Sequence, residues 1–156
     1  MQNNEELVEA LNDLIRINND RIEGYEKAIN ETKDIDVDLK TLFRRMADQS
    51  RQNKAELIQE VQKKGGNADT DSTTNSGKIY RTWMSVKATF SGKDRKSVLA
   101  ACEFGEDAAQ KAYQEALESD ATLDVDARQT IVKQKTSLKE SHDLIKRHRD
   151  MQTAGR

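Results

Sequence analysis

Apolar residues recur at three- and four-residue steps along most of this chain, and the breaks between them mark off four long amphipathic helices and one short one. Leu7, Leu11, Leu14, Ile15, Ile22, Tyr25 and Ile29 share a face, which predicts a first helix from about Asn4 to Glu31. Asn3 with Glu6 fits a capping box at its start. A polar break at 32–38 leads to a second helix with Leu39, Leu42, Phe43, Met46, Leu57 and Val61 in one stripe, ended by Gly65 and Gly66. Residues 67–77 are rich in Thr, Ser, Asn, Asp and Gly and read as a solvated, mobile loop. Ile79, Trp83, Val86 and Phe90 then predict a short helix over 78–90, broken by Ser91 and Gly92. The third long helix is expected from Asp94 to about Ser119, with Val98, Leu99, Cys102, Ala109, Tyr113 and Leu117 inward. Thr122 is placed to cap a fourth, whose stripe is Ala127, Ile131, Leu138, His142 and Ile145.

Nearly thirty residues separate the second and third helices, whereas the other two connections are short. Short links make antiparallel neighbours, and a long one lets the chain return along the bundle to start a parallel helix. The predicted fold is therefore all-α, a four-helix bundle with one long crossover carrying a short fifth helix between helices 2 and 3. The 156 residues suit one core and one domain spanning 1–156. The absence of proline and the 35% of charged residues agree with helices throughout. A faint echo, Glu23 to Ala28 against Glu103 to Ala108, aligns Glu26 with Glu106 and hints at duplicated hairpins.

Against this apolar pattern, Asn18, Ser50 and Asn53 fall on core-facing stripes near mid-helix. Amides and hydroxyls need only hydrogen-bond partners when buried, so the three are expected to form a polar core layer. Tyr25 and Tyr113 occupy inward positions where a ring fills space and its hydroxyl bonds inward. The lone Cys102 reads as an inert core thiol. Acidic and basic residues nearly cancel, 28 against 26, so no broad field favours nucleic acid or anionic lipid. No segment reaches the roughly 18 apolar residues of a membrane span, and the polar start lacks a secretory leader. A soluble cytoplasmic protein is the expectation.

The run from Ser50 and Asn53 to Gly65 and Gly66 resembles the second-helix ending of ferritins, with Ser50 at the glutamate and Asn53 at the histidine of a Glu-x-x-His pair. Over most of its length the chain is similar to an uncharacterised bacterial branch of ferritin-like four-helix-bundle proteins, domain of unknown function 2383. The residues that carry this are Leu11 to Leu14, Gly24 and Tyr25, Gly65 and Gly66, Gly77 with Trp83, Gly105 to Asp107, Tyr113 with Ala116 and Leu117, and His142 with Asp143.

A di-iron or di-manganese bundle needs one inward Glu on each of two helices and a Glu-x-x-His pair on each of the other two. Here Asn18, Ser50 and Asn53 replace such ligands, and Lys139 stands three residues before His142. Only Glu26, Glu106 and His142 are left as metal-ligand candidates, and a hydrogen bond between Glu106 and His142 across an antiparallel hairpin is the simpler expectation. No catalytic residue and no cofactor are expected. The favoured function is a non-catalytic interaction or stress-associated protein with a degenerate metal site. The alternative is a metal-binding oxidoreductase or metal-handling protein using Glu26, Glu106 and His142. A third reading is a homodimer formed through the crossover helix, with Trp83 at the contact.

Overall fold

Four helices, α1 (Gln2–Glu31), α2 (Val37–Lys63), α3 (Arg95–Glu118) and α4 (Val125–Ala154), make up the computed structural model, which describes residues 2–32, 36–70, 72, 95–118 and 123–154. They match the four long helices predicted from apolar spacing. The predicted crossover helix at 78–90, with Trp83, lies outside the described residues, and so does Thr122. Helix α1 starts at Gln2, so Asn3 lies within the helix instead of capping it. Asp124 caps α4: its Oδ1 accepts the Ala127 amide at 2.8 Å and its carbonyl the Arg128 amide at 3.0 Å.

Helix α2 ends in a Schellman motif. The Gly66 amide reaches the Val61 carbonyl and the Gly65 amide the Gln62 carbonyl, with Gly65 at φ 77° in the left-handed region. A Cβ on Gly66 would stand 2.7 Å from Val8 Cγ2. Glycine there lets the end of α2 close onto the start of α1.

Helices α1 and α2 form one hairpin, α3 and α4 the other, and side-chain bonds fix how the two pack. Along α1, Asn18 pairs with Tyr113 while Tyr25 pairs with Glu106, so α1 and α3 run antiparallel. Along α2, Gln49 reaches Ser141 and Asn53 reaches Gln134, so α2 and α4 also run antiparallel. Helices α2 and α3 are therefore parallel, and the chain between them returns along the bundle.

The first part of that return is held against α1. The Asn12 side chain donates to the Asn67 carbonyl at 3.1 Å and accepts the Asp69 amide at 2.9 Å. Arg16 pairs with Asp69 at 2.8 Å, and Asn19 donates to the carbonyls of Thr70 and Ser72 at 3.0 and 2.8 Å. Residues 67–70 and 72 are thus an irregular strap tied to α1, with Asn67 and Ser72 exposed, where a mobile loop was expected; the rest of that predicted loop, 71 and 73–77, lies outside the described residues. Polar side chains on α1 supply the bonds that the segment's lack of apolar residues could not.

Two apolar clusters fill the bundle. One gathers Tyr25, Leu39, Phe43, Met46, Leu99, Cys102 and Ile145; the other gathers Leu7, Leu11, Leu14, Ile15, Leu57, Val61, Tyr113, Ile131 and Leu138. Between them lies a polar layer. On α4 the inward stripe runs through Ala127, Ile131, Gln134, Leu138, Ser141 and Ile145, and His142 sits beside it, partly exposed. Among the described residues, no helix is long and apolar enough to cross a membrane.

Candidate functional site

The polar layer is built around Arg21, which lies on the same α1 stripe as Leu14, Asn18, Tyr25 and Ala28 and has no exposed surface. Its Nε meets Glu106 Oε1 at 2.6 Å, and both side chains are fully buried. Its Nη1 donates to Ser50 Oγ at 2.8 Å and to the Met46 carbonyl at 3.3 Å. The guanidinium also lies 5.3 Å from the Tyr25 ring centroid, a distance at which the ring face attracts a cation. Tyr25 donates its hydroxyl to the same Glu106 Oε1 at 2.7 Å. Glu106 Oε2 is buried with no hydrogen-bond partner.

These contacts explain the electrostatics. Burial opposes charge on Arg21, but the Glu106 carboxylate and its hydrogen bond outweigh it and push the guanidinium pKa above its already high ordinary value. Burial, reinforced by the adjacent Glu106 charge, pushes the Tyr25 hydroxyl and the Cys102 thiol well up from their ordinary values. A thiol so placed stays protonated and unreactive at neutral pH.

Next to the ion pair the layer continues as a network of amides and hydroxyls that reaches the Glu56 carboxylate at its edge. Asn18 donates to the Leu14 carbonyl and to the Tyr113 hydroxyl, both at 2.8 Å. Tyr113 donates to Gln134 Oε1 at 2.6 Å. Gln134 in turn donates to the Asn53 carbonyl at 3.1 Å and to Glu56 at 3.0 Å. The Asn53 amide makes a long contact of 3.5 Å to Asn18 Oδ1. Burial, partly offset by the Asn18 bond, raises the Tyr113 hydroxyl.

Asn18, Ser50 and Asn53 are therefore all buried in one layer, though Ser50 bonds to Arg21 and the two asparagines to the Tyr113 network. Glu26, Glu106 and His142 are not brought together. Glu26 is on the surface in a 2.7 Å pair with Arg51, its side chain 53% exposed. The expected bond between Glu106 and His142 is absent, because Glu106 turns to Arg21 and Tyr25. His142 instead places Nε2 2.7 Å from Asp107 and 3.7 Å from Glu103, with Nδ1 3.1 Å from Asp143. Lys139 is exposed and pairs with Asp143 at 3.0 Å. Among the described residues, no three His, Cys, Asp or Glu side chains converge where an ion could sit.

Sequence reading missed Arg21, Gln134, Asn12 and Asn19. Arg21 was visible as the member of the 14, 18, 21, 25, 28 series carrying a charge, and Gln134 as the residue between Ile131 and Leu138 at helical spacing. Asn12 and Asn19 bond to the backbone of the strap, which leaves no pattern in the sequence.

No match to this chain was found among curated proteins or solved structures. Its residues 6–119, from the first turns of α1 to the end of α3, match the family described as domain of unknown function (DUF2383). The chain belongs to that family.

Proposed function

We propose that this chain is a non-catalytic ferritin-like helical bundle, a cytoplasmic interaction or stress-associated protein whose central metal site has degenerated. One observation carries the reading: the guanidinium of Arg21 stands at the bundle centre, between Glu106 and Ser50. A metal site gathers carboxylates around an external cation. Here the chain's own cation meets the one buried carboxylate of the layer's charged half, and the other polar groups are amides and hydroxyls up to Glu56 at the edge, which already pairs with Lys133. A divalent ion beside Arg21 would meet like charge, and its ligand set would lack the anionic oxygens that iron and manganese require.

Tag-free protein purified from cells grown with ample iron and manganese tests this. The expected metal content is well under one equivalent, with no saturable oxidation when Fe(II) and oxygen are supplied. One or more equivalents bound at Glu106 would overturn the reading in favour of a metal-dependent oxidoreductase or metal-handling protein.

A further inference from the structure

A groove of about 360 Å³ follows the seam between α2 and α4, and Gln134, which bonds to Tyr113, forms part of its wall. Every residue that lines it is polar. Small-molecule sites are mostly apolar with a few polar groups, so this lining does not suit a greasy ligand, although its volume falls within their range. Much of the wall is fixed before anything binds. Gln134, 1% exposed, donates to the Asn53 carbonyl and to Glu56 while accepting from Tyr113. Gln49 donates to Ser137 Oγ at 2.5 Å and accepts from Ser141 at 2.8 Å.

Asn53 also lines the groove and is only 5% exposed, yet its amide is poorly satisfied. Its Nδ2 makes the 3.5 Å contact to Asn18, longer than an ordinary hydrogen bond, and no donor among the described residues reaches its Oδ1. The enclosed unpartnered oxygens of the described residues are Glu60 Oε1 and Glu106 Oε2, so Asn53 Oδ1 keeps some surface, and the groove is where Asn53 has it. A mostly buried amide with unmet bonding capacity is costly, and a ligand in the groove would meet that capacity.

The charges around the groove decide what kind of ligand. Arg45 and Lys133 are matched by Asp48 and Glu56, and Glu56 and Lys133 pair with each other at 3.2 Å. An entering anion would meet two acids and an entering cation two bases; a neutral ligand avoids both. The free bonding groups are mixed. Asn53 offers an acceptor and a donor, exposed Gln52 adds an amide with both, and the Ser137 hydroxyl, which accepts from Gln49, keeps its proton to donate. A hydroxyl is donor and acceptor at once, so several hydroxyls on one carbon frame match this mixture. The aliphatic stems of Arg45 and Lys133 supply cover for the C–H faces of such a frame.

We propose that the α2–α4 groove binds a neutral polyhydroxylated ligand, about one or two sugar rings in size, with Asn53 and Gln52 as its main hydrogen-bonding residues. The proposal does not depend on the reading of the central layer.

Methyl glucoside, glucuronate and glucosamine share one ring and differ in charge, so titrating each into the isotope-labelled full chain, followed by NMR, tests both the site and the ligand class. Methyl glucoside should give saturable shifts, in the millimolar range, at the side-chain amides of Gln52, Asn53 and Gln134 and along 45–56 and 133–137. Gln52→Ala, at an exposed position, should weaken binding about three- to tenfold, the loss of one neutral hydrogen bond. Asn53→Leu should weaken it at least as much with helical circular dichroism unchanged. Lys54→Ala, on the α1–α2 seam instead, should leave binding as it was. Shifts that do not saturate, or that centre away from the groove, would overturn the proposal, as would binding indifferent to Gln52→Ala. Tighter binding of glucuronate or glucosamine than of methyl glucoside would show that the rim charges govern the site and would overturn the neutral class.

Discussion

Arg21 Nε lies 2.6 Å from Glu106 Oε1 across the α1–α3 seam, and neither side chain touches solvent. Removing two charges from water costs several kcal/mol per ion, which attraction and further hydrogen bonds only partly return. The pair is therefore poor evidence of added stability, but each partner is indispensable to the other. Arg21→Met, leaving a buried carboxylate, and Glu106→Leu, leaving a buried guanidinium, should each destabilise the fold by about 3–5 kcal/mol. The double variant should recover most of that loss. Urea unfolding of the four proteins measures the coupling. Single losses below about 1 kcal/mol would mean that water reaches the pair.

How this layer was and was not legible follows from its residues. Asn18, Ser50 and Asn53 stood out because neutral polar groups interrupted apolar stripes. Arg21 occupies the same kind of position, yet a charged residue on a surface-rich helix reads as solvated unless its buried partner is known. The internal echo misled by one residue. It aligned Glu26 with Glu106, a separation of 80, whereas inward residues of α1 and α3 correspond at 81, so that Tyr25 matches Glu106 and Ala28 matches Ala109. On α4, His142 follows Leu138 by four residues, but Ser141 follows it by three and takes the inward place. The four helices were legible because each buries a long stripe; the site was not, because it depends on which of two adjacent positions turns inward.

The alkaline limb of stability should report the buried hydroxyls and thiol. Tyr25, Tyr113 and Cys102 all have folded-state pKa values above their ordinary 10.0, 10.0 and 9.0, chiefly through burial. A raised group holds its proton more tightly in the folded state. Its contribution is complete below the unfolded value and is lost as pH rises through and beyond it. These three groups therefore predict no change in urea midpoint below about pH 9 and a steepening fall above it, by up to about 1.4 kcal/mol per pH unit per group. Tyr25→Phe should flatten the part of the fall that begins near pH 10. A midpoint indifferent to pH up to 11 would show that the hydroxyls ionise freely in the folded protein.

The strap gives a local prediction. Asn12 makes two bonds to it, one as donor to Asn67 and one as acceptor from Asp69, each worth about 0.5–1.5 kcal/mol net. Asn12→Ala should expose the Asp69 amide to hydrogen exchange and hasten proteinase K cleavage within 67–70, with little change in global unfolding. Exchange of that amide in the wild type as fast as in an unstructured peptide would remove the strap.

The last prediction tests whether Arg21 stands in for a metal. Ser50 Oγ is 2.8 Å from Arg21 Nη1, so Ser50→Glu would aim a second carboxylate at the cation that Glu106 already faces. Asn53 lies one turn further on the same buried stripe, the spacing of a Glu-x-x-His pair. Lys139 is unsuitable as a ligand position because it is exposed. In S50E/N53H the retained guanidinium should neutralise the added carboxylate, and Mn(II) should leave the melting temperature unchanged. In R21Q/S50E/N53H the two carboxylates face each other without a cation, so the metal-free protein should melt lower. Mn(II) should restore it, because binding to the folded state alone adds its free energy to folding. Equal Mn(II) stabilisation of both variants, or of the wild type, would show that Arg21 does not exclude a metal from the bundle centre.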